Sequence, residues 1–226
     1  MKICKEIKLS QVGDEWLTWR EAGIGASESA VLMGALPFKW NDVLELWKLK
    51  TKMIESDFTM NEAMQLGKDL EPEARTKYTK ATGIKVQAKC FERTDMPFLK
   101  ASLDGITKNG KHIVEIKCPG LPKWQSAKKG IVVDYYYPQM QQQMAVSEAE
   151  SCHYWVYRKT EGGILINVPR NQPYIDELER RAKIFWDCVE NKKPALPAML
   201  GIDMRKEVDP FQAGDMETEV LGIYKN

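Results

Sequence analysis

Asn109-Gly110 separates two apolar runs, residues 98–106 and 112–118, and no other feature restricts the fold of this chain so tightly. In that setting an Asn-Gly pair predicts a two-residue type I′ hairpin turn, because both residues tolerate the positive φ angles it demands. Lys108 then faces Lys111, and the same register sets Asp104 opposite Glu115 and Ser102 opposite Lys117. Residues two apart share a sheet face, so these four side chains are expected on one surface. Gly105 is a candidate bulge that would shift the register by one residue.

Around the hairpin the apolar period alternates between helix and strand. Helices are expected over residues 14–22, 41–53, 59–82, 135–147 and 174–190. Gly23-Ile24-Gly25 breaks the first, Ser27 sits as an N-cap before Ala30, and Pro72 interrupts the third, which Gly83 closes. Residues 84–89 alternate as a half-buried strand does, and residues 151–158 and 163–168 give a further pair. This order predicts an α/β (α+β) fold, a mixed central sheet flanked by helices. With 226 residues, one domain over 1–226 is expected. Residues 192–226 carry Pro194, Pro197 and Pro210 and are expected to form an irregular arm.

The charges nearly cancel, 33 Lys and Arg against 32 Asp and Glu. Global attraction to a polyanion or to an anionic membrane is therefore excluded, and any positive field must be local or supplied by metal ions. Lys108, Lys111, Lys123, Lys128 and Lys129 are expected to cluster near the hairpin site and supply that local charge. The five cysteines, at 4, 90, 118, 152 and 188, form no CxxC pair and no zinc spacing with histidine. Reduced thiols in a cytoplasmic protein are expected. The first eight residues lack a signal-peptide apolar core, and no apolar run approaches the length of a membrane span.

The hairpin cluster has awkward chemistry without a ligand. Opposed side chains have Cβ atoms roughly 4.5–5.5 Å apart, and like charges there destabilise a sheet. Two carboxylates that close raise one pKa. A divalent cation removes the conflict and favours hard oxygen donors. A lysine beside a water on that cation would stabilise its deprotonated form and the charge growing on a phosphate. A solvated hairpin with Lys117 neutralising Glu115 explains the spacing equally well. However, Ile113, Val114, Ile116 and Cys118 make this strand too apolar for an exposed position.

An Asp followed after about ten residues by Glu-x-Lys on an apolar strand resembles the PD-(D/E)XK nuclease superfamily. The flanking motifs narrow the resemblance. Residues 16–27, Gly67-Lys68-Asp69-Leu70-Glu71, Ser102-Leu103-Asp104-Gly105, Glu115-Ile116-Lys117-Cys118-Pro119 and Tyr136-Tyr137-Pro138-Gln139-Met140-Gln141 occur in this order. Together they resemble the YqaJ-like viral recombinase, or phage lambda exonuclease, family over residues 14–190. Leu103 departs from the proline of the superfamily motif. The resemblance implies a restriction-endonuclease-like fold and a Mg2+-dependent exonuclease, with two ions and with Mn2+ able to substitute. It implies digestion of duplex DNA ends from 5′ to 3′, release of mononucleotides and a 3′ overhang for recombination. It also implies a homotrimeric ring, a single-strand annealing partner, and a phage or prophage origin in a bacterial cytoplasm. Asp104, Glu115, the Ile116 carbonyl and Glu71 would hold metal. Lys117 would activate water and Gln139 would touch it. Ser102 would assist near the phosphate, while Arg20 and Ser27 would grip a 5′-phosphate. Enclosure of DNA rather than electrostatic grip would suit a nearly neutral chain.

Each of these residues also has a plainer reading. Glu71 lies among Asp69 and Glu73 and suits a solvated helix. Gln139 fits a polar helix face running to Gln143. Arg20 suits a pair with Glu21 or Asp14. Met64 could wedge between terminal bases, though core packing suits it better. Trp16, Trp19, Trp155 and Tyr157 are expected in the core, and His112 and His153 carry no functional argument. The competing functions are a site- or structure-specific endonuclease and a non-catalytic DNA-binding assembly module.

Overall fold

The computed structural model describes residues 3–36, 42–55, 61–203 and 218–225. Its elements run β1 (Cys4–Ile7), α1 (Asp14–Glu21), β2 (Ile24–Gly25), α2 (Ser29–Leu32), α3 (Val43–Lys50) and α4 (Glu62–Thr82). They continue through β3 (Val86–Arg93), β4 (Leu99–Thr107), β5 (His112–Lys117), α5 (Leu121–Lys128), α6 (Tyr137–Ser147), β6 (Ser151–Arg158) and β7 (Gly162–Pro169). The last are α7 (Gln172–Glu190), α8 (Pro197–Leu200) and β8 (Glu219–Tyr224). The expected α/β (α+β) architecture is present: one mixed sheet, mostly antiparallel, in the order β1-β3-β4-β5-β6-β7-β8. The β5–β6 pair is parallel, and the short β2 lies parallel to β4.

Alternation along the strands divides the core. Ile113, Tyr154, Val156, Ile164 and Ile166 pack with Met140, Met144, Leu178 and Phe185 of α6 and α7 on one face. Val114, Ile116, Trp155, Tyr157 and Leu165 pack with Ala74 and Tyr78 of α4 on the other. Trp155 and Tyr157 are core residues, as their sequence context suggests. Truncating a core leucine or phenylalanine of this kind costs about 2–5 kcal/mol.

Several expectations are corrected. The hairpin register holds, with Gly105 opposite Val114 and Ile106 opposite Ile113. The turn is wider, however. Gly110 N donates to the Thr107 carbonyl, Gly110 has φ +74°, and Asn109 has no positive φ. A type I′ turn is thereby excluded, and Lys108 and Lys111 lie inside the loop. α4 runs unbroken through Pro72, with Asn61 as its N-cap and Gly83 in left-handed conformation at its end. Ser27 is not an N-cap: it lies in a single 3-10 turn, and the four-residue α2 starts after Glu28. The expected irregular arm instead supplies α8 and the edge strand β8, while residues 204–217, Pro210 among them, lie outside the described residues. No helix among the described residues is long and apolar enough to cross a membrane.

Candidate active site

The site originates in a break of the sheet at β4. On one edge β4 pairs with β3, and there the register slips between Gln87 and Lys89, leaving one extra residue on β4 at Asp104-Gly105. This is the bulge that Gly105 suggested. A Cβ at Gly105 would meet Val86 Cγ2 at 2.7 Å, so glycine permits the close approach of β3. The opposite edge of β4 pairs with β2 at Leu99 and Lys100 and with β5 only from Gly105 onward. Between them lies a gap spanning residues 101–104.

Side chains fill this gap. Asp104 Oδ2 accepts the Ile116 N–H at 2.7 Å, taking the place of a strand carbonyl. Gln142 Nε2 donates to the carbonyls of Ile24 at 2.9 Å and Lys100 at 3.1 Å, tying β2 to β4. Gln143 Nε2 lies 3.5 Å from the Ser102 carbonyl and donates to Glu115 Oε2 at 2.6 Å. Buried main-chain groups need partners, and where the ladder is broken α6 glutamines provide them. The polar-face reading of 139–143 is therefore overturned: Gln141, Gln142 and Gln143 are fully buried.

Glu115 is 1 % exposed and points toward α6. Its Oε1 accepts from Gln139 Nε2 at 2.8 Å and pairs with Lys117 Nζ at 2.5 Å. Gln139 Oε1 lies 3.4 Å from the same ammonium. Lys117 Nζ also sits 4.7 Å from the centre of the Tyr136 ring. Burial alone would depress this ammonium, but Glu115 and Asp104 outweigh it and hold Lys117 above its ordinary value. Asp104 is pushed well above the usual carboxylate range, first by burial and then by repulsion from Glu115 and Glu71, against the opposing pull of Lys117 and the Ile116 N–H. Glu71, on α4, is held by Arg75, whose Nε donates to the Asp104 carbonyl at 2.7 Å.

Asp104, Glu115, Lys117, Gln139 and Glu71 are thus brought together. Among the described residues, no three His, Cys, Asp or Glu side chains group closely enough to hold a metal ion by themselves. The oxygen donors nevertheless suit a hard cation, and such a cation would offset both the burial and the neighbouring carboxylates that raise Asp104.

Ser102 is not on the expected face. The bulge reverses alternation, so Leu103 faces the α6 side with Ile113, and Ser102 lies opposite, beside Cys90 and accepting from Trp16 Nε1 at 2.9 Å. Trp16 and Trp19 are only half-buried. They fasten α1 to the sheet, Trp19 through Glu92 at 3.0 Å. Arg20 pairs with neither Asp14 nor Glu21: its guanidinium donates to Ser27 Oγ at 3.1 Å and lies 4.8 Å from the Trp16 ring centre. Gly25 approaches that guanidinium, and its N–H donates to Glu28. This pocket closes the β2 end of the gap. Four residues of β4, about 13 Å at ~3.3 Å each, separate Lys100, opposite Gly25, from Asp104. Lys108 and Lys111 are at the other end of β5, where Lys111 pairs with Glu150. Met64 is 48 % exposed, which rules out its core reading.

Sequence reasoning missed Gln143, Gln142, Arg75 and Tyr136. Arg75 follows Glu71 at helical i+4 spacing, a signal that could have found it. Burial of a glutamine run leaves no such mark.

An Asp–Glu–Lys cluster at a split in a mixed sheet, with Glu115 buried and Asp104 and Lys117 part-buried, is the arrangement of the PD-(D/E)XK class. Within that class, the chain belongs to the YqaJ-like viral recombinase domain family, whose model matches residues 15–150. It is 27% identical over 209 residues to the uncharacterized protein YqaJ of Bacillus subtilis (strain 168), covering 86% of this chain and 61% of that one. The chain thus spans about three fifths of that relative's length. The alkaline exonuclease LHK-Exo of Laribacter hongkongensis superposes with a TM-score of 0.70 at 27% identity, over 80% of this chain and 94% of that one. That enzyme has also been solved in complex with dAMP. A phage-related exonuclease from Haemophilus somnus 129PT shares the fold, with a TM-score of 0.55 at 16% identity over 75% of this chain and 96% of the other.

Proposed function

We propose that this protein is a Mg2+-dependent exonuclease. It degrades one strand of duplex DNA from the 5′ end, releases 5′-mononucleotides and leaves a 3′ overhang for recombination. One observation carries this reading: Asp104, the buried Glu115 and Lys117 converge where the β4–β5 ladder stops, an arrangement of oxygen donors that a divalent cation would suit. Family membership and the likeness to an alkaline exonuclease solved with a mononucleotide support it.

The residues divide the work. Asp104, Glu115 and the Ile116 carbonyl would hold the cation, with Glu71 on hand across Arg75. When bound, the metal supplies charge to a phosphate and acidity to a water. Gln139 and Gln143 fix the Glu115 carboxylate from two sides. Lys117 keeps its proton and offers positive charge to the reacting phosphate. Arg20 and Ser27 form an anion pocket beside the carboxylates rather than at them, which suits the terminal 5′-phosphate of the strand being digested. Exposed Met64 and Leu66, at the start of the helix that bears Glu71, suit a wedge against the terminal base pair. A homotrimeric ring, a single-strand annealing partner and residence in the host cytoplasm complete the proposal. Five free cysteines fit a reducing compartment.

The test is incubation of linear duplex, labelled at either end, with Mg2+. Early release of the 5′ label as mononucleotide and survival of closed circles are expected, with no release by Lys117→Ala although it still binds ends. Cut circles would mark an endonuclease. Absence of any Mg2+-dependent product would leave only an assembly role.

A further inference from the structure

Between Glu115 and Asp134 the sequence has no acidic residue but contains Lys117, Lys123, Lys128 and Lys129. Against a net charge of +1 for the whole chain this is a steep local excess. The stretch leaves the active-site strand, forms α5 and turns back toward α6. Among the described residues no carboxylate pairs with Lys123, Lys128 or Lys129.

Where it meets residues 135 and 136, a chain of aromatic and cation contacts leads away from Lys117. Lys117 Nζ faces Tyr136 at 4.7 Å. Tyr136 meets Tyr135 edge to face at 4.5 Å between ring centres. Lys123 Nζ lies 5.2 Å from the Tyr135 centre and donates to its hydroxyl at 2.5 Å. Exposure rises along these contacts: Tyr136 and Tyr135 are half-buried and Lys123 is exposed.

Resting on the nuclease reading, we infer that Tyr135 and Lys123 form a subsite for single-stranded DNA beside the reacting phosphate. Single strands are held by cations that track the phosphates and by rings on which bases stack, and base–ring stacking tolerates any sequence. The Lys123 ammonium sits at the Tyr135 hydroxyl, where it can meet a phosphate while the half-buried ring offers a face to a base. The subsite spans α5 and the turn leading into α6, outside the Arg20 pocket and outside the carboxylate cluster, so it grips the strand without taking part in hydrolysis.

The experiment is fluorescence anisotropy of a labelled single-stranded oligonucleotide with the full chain in EDTA, over a range of salt. Tyr135→Ala should bind roughly tenfold more weakly, while Tyr135→Phe, which keeps the ring, stays near the parent. Lys123→Ala should weaken binding and flatten the plot of log affinity against log salt by about 0.7. Unchanged affinity in both alanine variants overturns the subsite, as does a parent that binds no single strand. Should Tyr135→Ala fail to fold by thermal melting, the exposed Lys123 decides. Duplex digestion by the parent, run in parallel, separates the two ideas. An inactive parent whose binding still falls in the variants defeats the nuclease reading and spares the subsite. An active parent with indifferent variants does the reverse.

Discussion

The Asp104 carboxylate accepts the main-chain N–H of Ile116 at 2.7 Å, so an acidic side chain closes the sheet where the ladder between β4 and β5 stops. Burial and two neighbouring carboxylates raise its pKa. The folded state therefore binds this proton more tightly than the unfolded chain does. Stability is lost as pH rises from about 3.9, the unfolded value, through the folded one, and the penalty is then constant. Asp104→Asn keeps an acceptor for Ile116 without the charge. In chelator at pH 7 it should be more stable by on the order of 1 kcal/mol, roughly 2–4 °C in Tm, while losing nuclease activity. The gain should shrink toward pH 4, and Mg2+ should stabilise the parent more than the variant. A variant that melts below the parent at pH 7 would refute this account.

Gln143 contributes through Glu115. One carboxylate oxygen depends on its amide, and the other is shared by Gln139 and Lys117. Gln143→Leu leaves Oε2 of a buried charge without its donor, a loss of about 1–3 kcal/mol. Residues that orient a metal-binding carboxylate typically matter 10–100-fold, so kcat should fall by about that factor with affinity for duplex ends preserved. Denaturant melts and single-turnover digestion read the two effects separately. A drop in end binding as large as the drop in rate would contradict a purely orienting role.

Arg20 tests the other end of the gap. Its guanidinium is already oriented by Ser27 Oγ and the Trp16 ring, so an anion arriving there needs little rearrangement. Arg20→Ala should erase the preference for a 5′-phosphorylated over a 5′-hydroxyl end, with the hydroxyl end digested at nearly the parental rate. Competition digests with the two ends in one tube measure this ratio. Equal slowing on both ends would assign Arg20 to the fold rather than to phosphate recognition.

The chemistry-bearing strands were legible because strand and turn signals are local. Asn109-Gly110 set the correct register although the turn itself is wider, because a four-residue loop closed by Thr107 and His112 keeps the same pairs opposite. β6 appears with its bounds as expected, since a short apolar, aromatic-rich run buried on both faces marks a central strand. β1 and β8 were missed because edge strands depend on partners distant in sequence. The change of face at Ser102 was hidden for a similar reason: Gly105 announces a bulge, but which side chains it redirects depends on β3. The glutamines of α6 look like a solvated stripe until the gap in the sheet that they fill is known.

Away from the site, Glu177 on α7 reports on stability alone. Bonds from Arg180 lower its carboxyl most, burial opposes them, and Arg181 lowers it further, to about 2. Arg181 is buried and also donates to the Leu32 carbonyl at 3.3 Å, so this cluster braces α7 against α2. A depressed carboxyl stabilises the fold fully above its unfolded value of about 4.3 and loses that contribution as pH falls toward the folded one. Glu177→Gln should cost about 2 kcal/mol at pH 7, allowing for partial exposure of the pair with Arg180, or roughly 4–8 °C in Tm. The difference between parent and variant should narrow below pH 4.5 and nearly vanish close to pH 2. Melts of both proteins across that range measure it. A gap that stays constant into acid would mean that the glutamate contributes by packing, and the ionic brace would have to be abandoned.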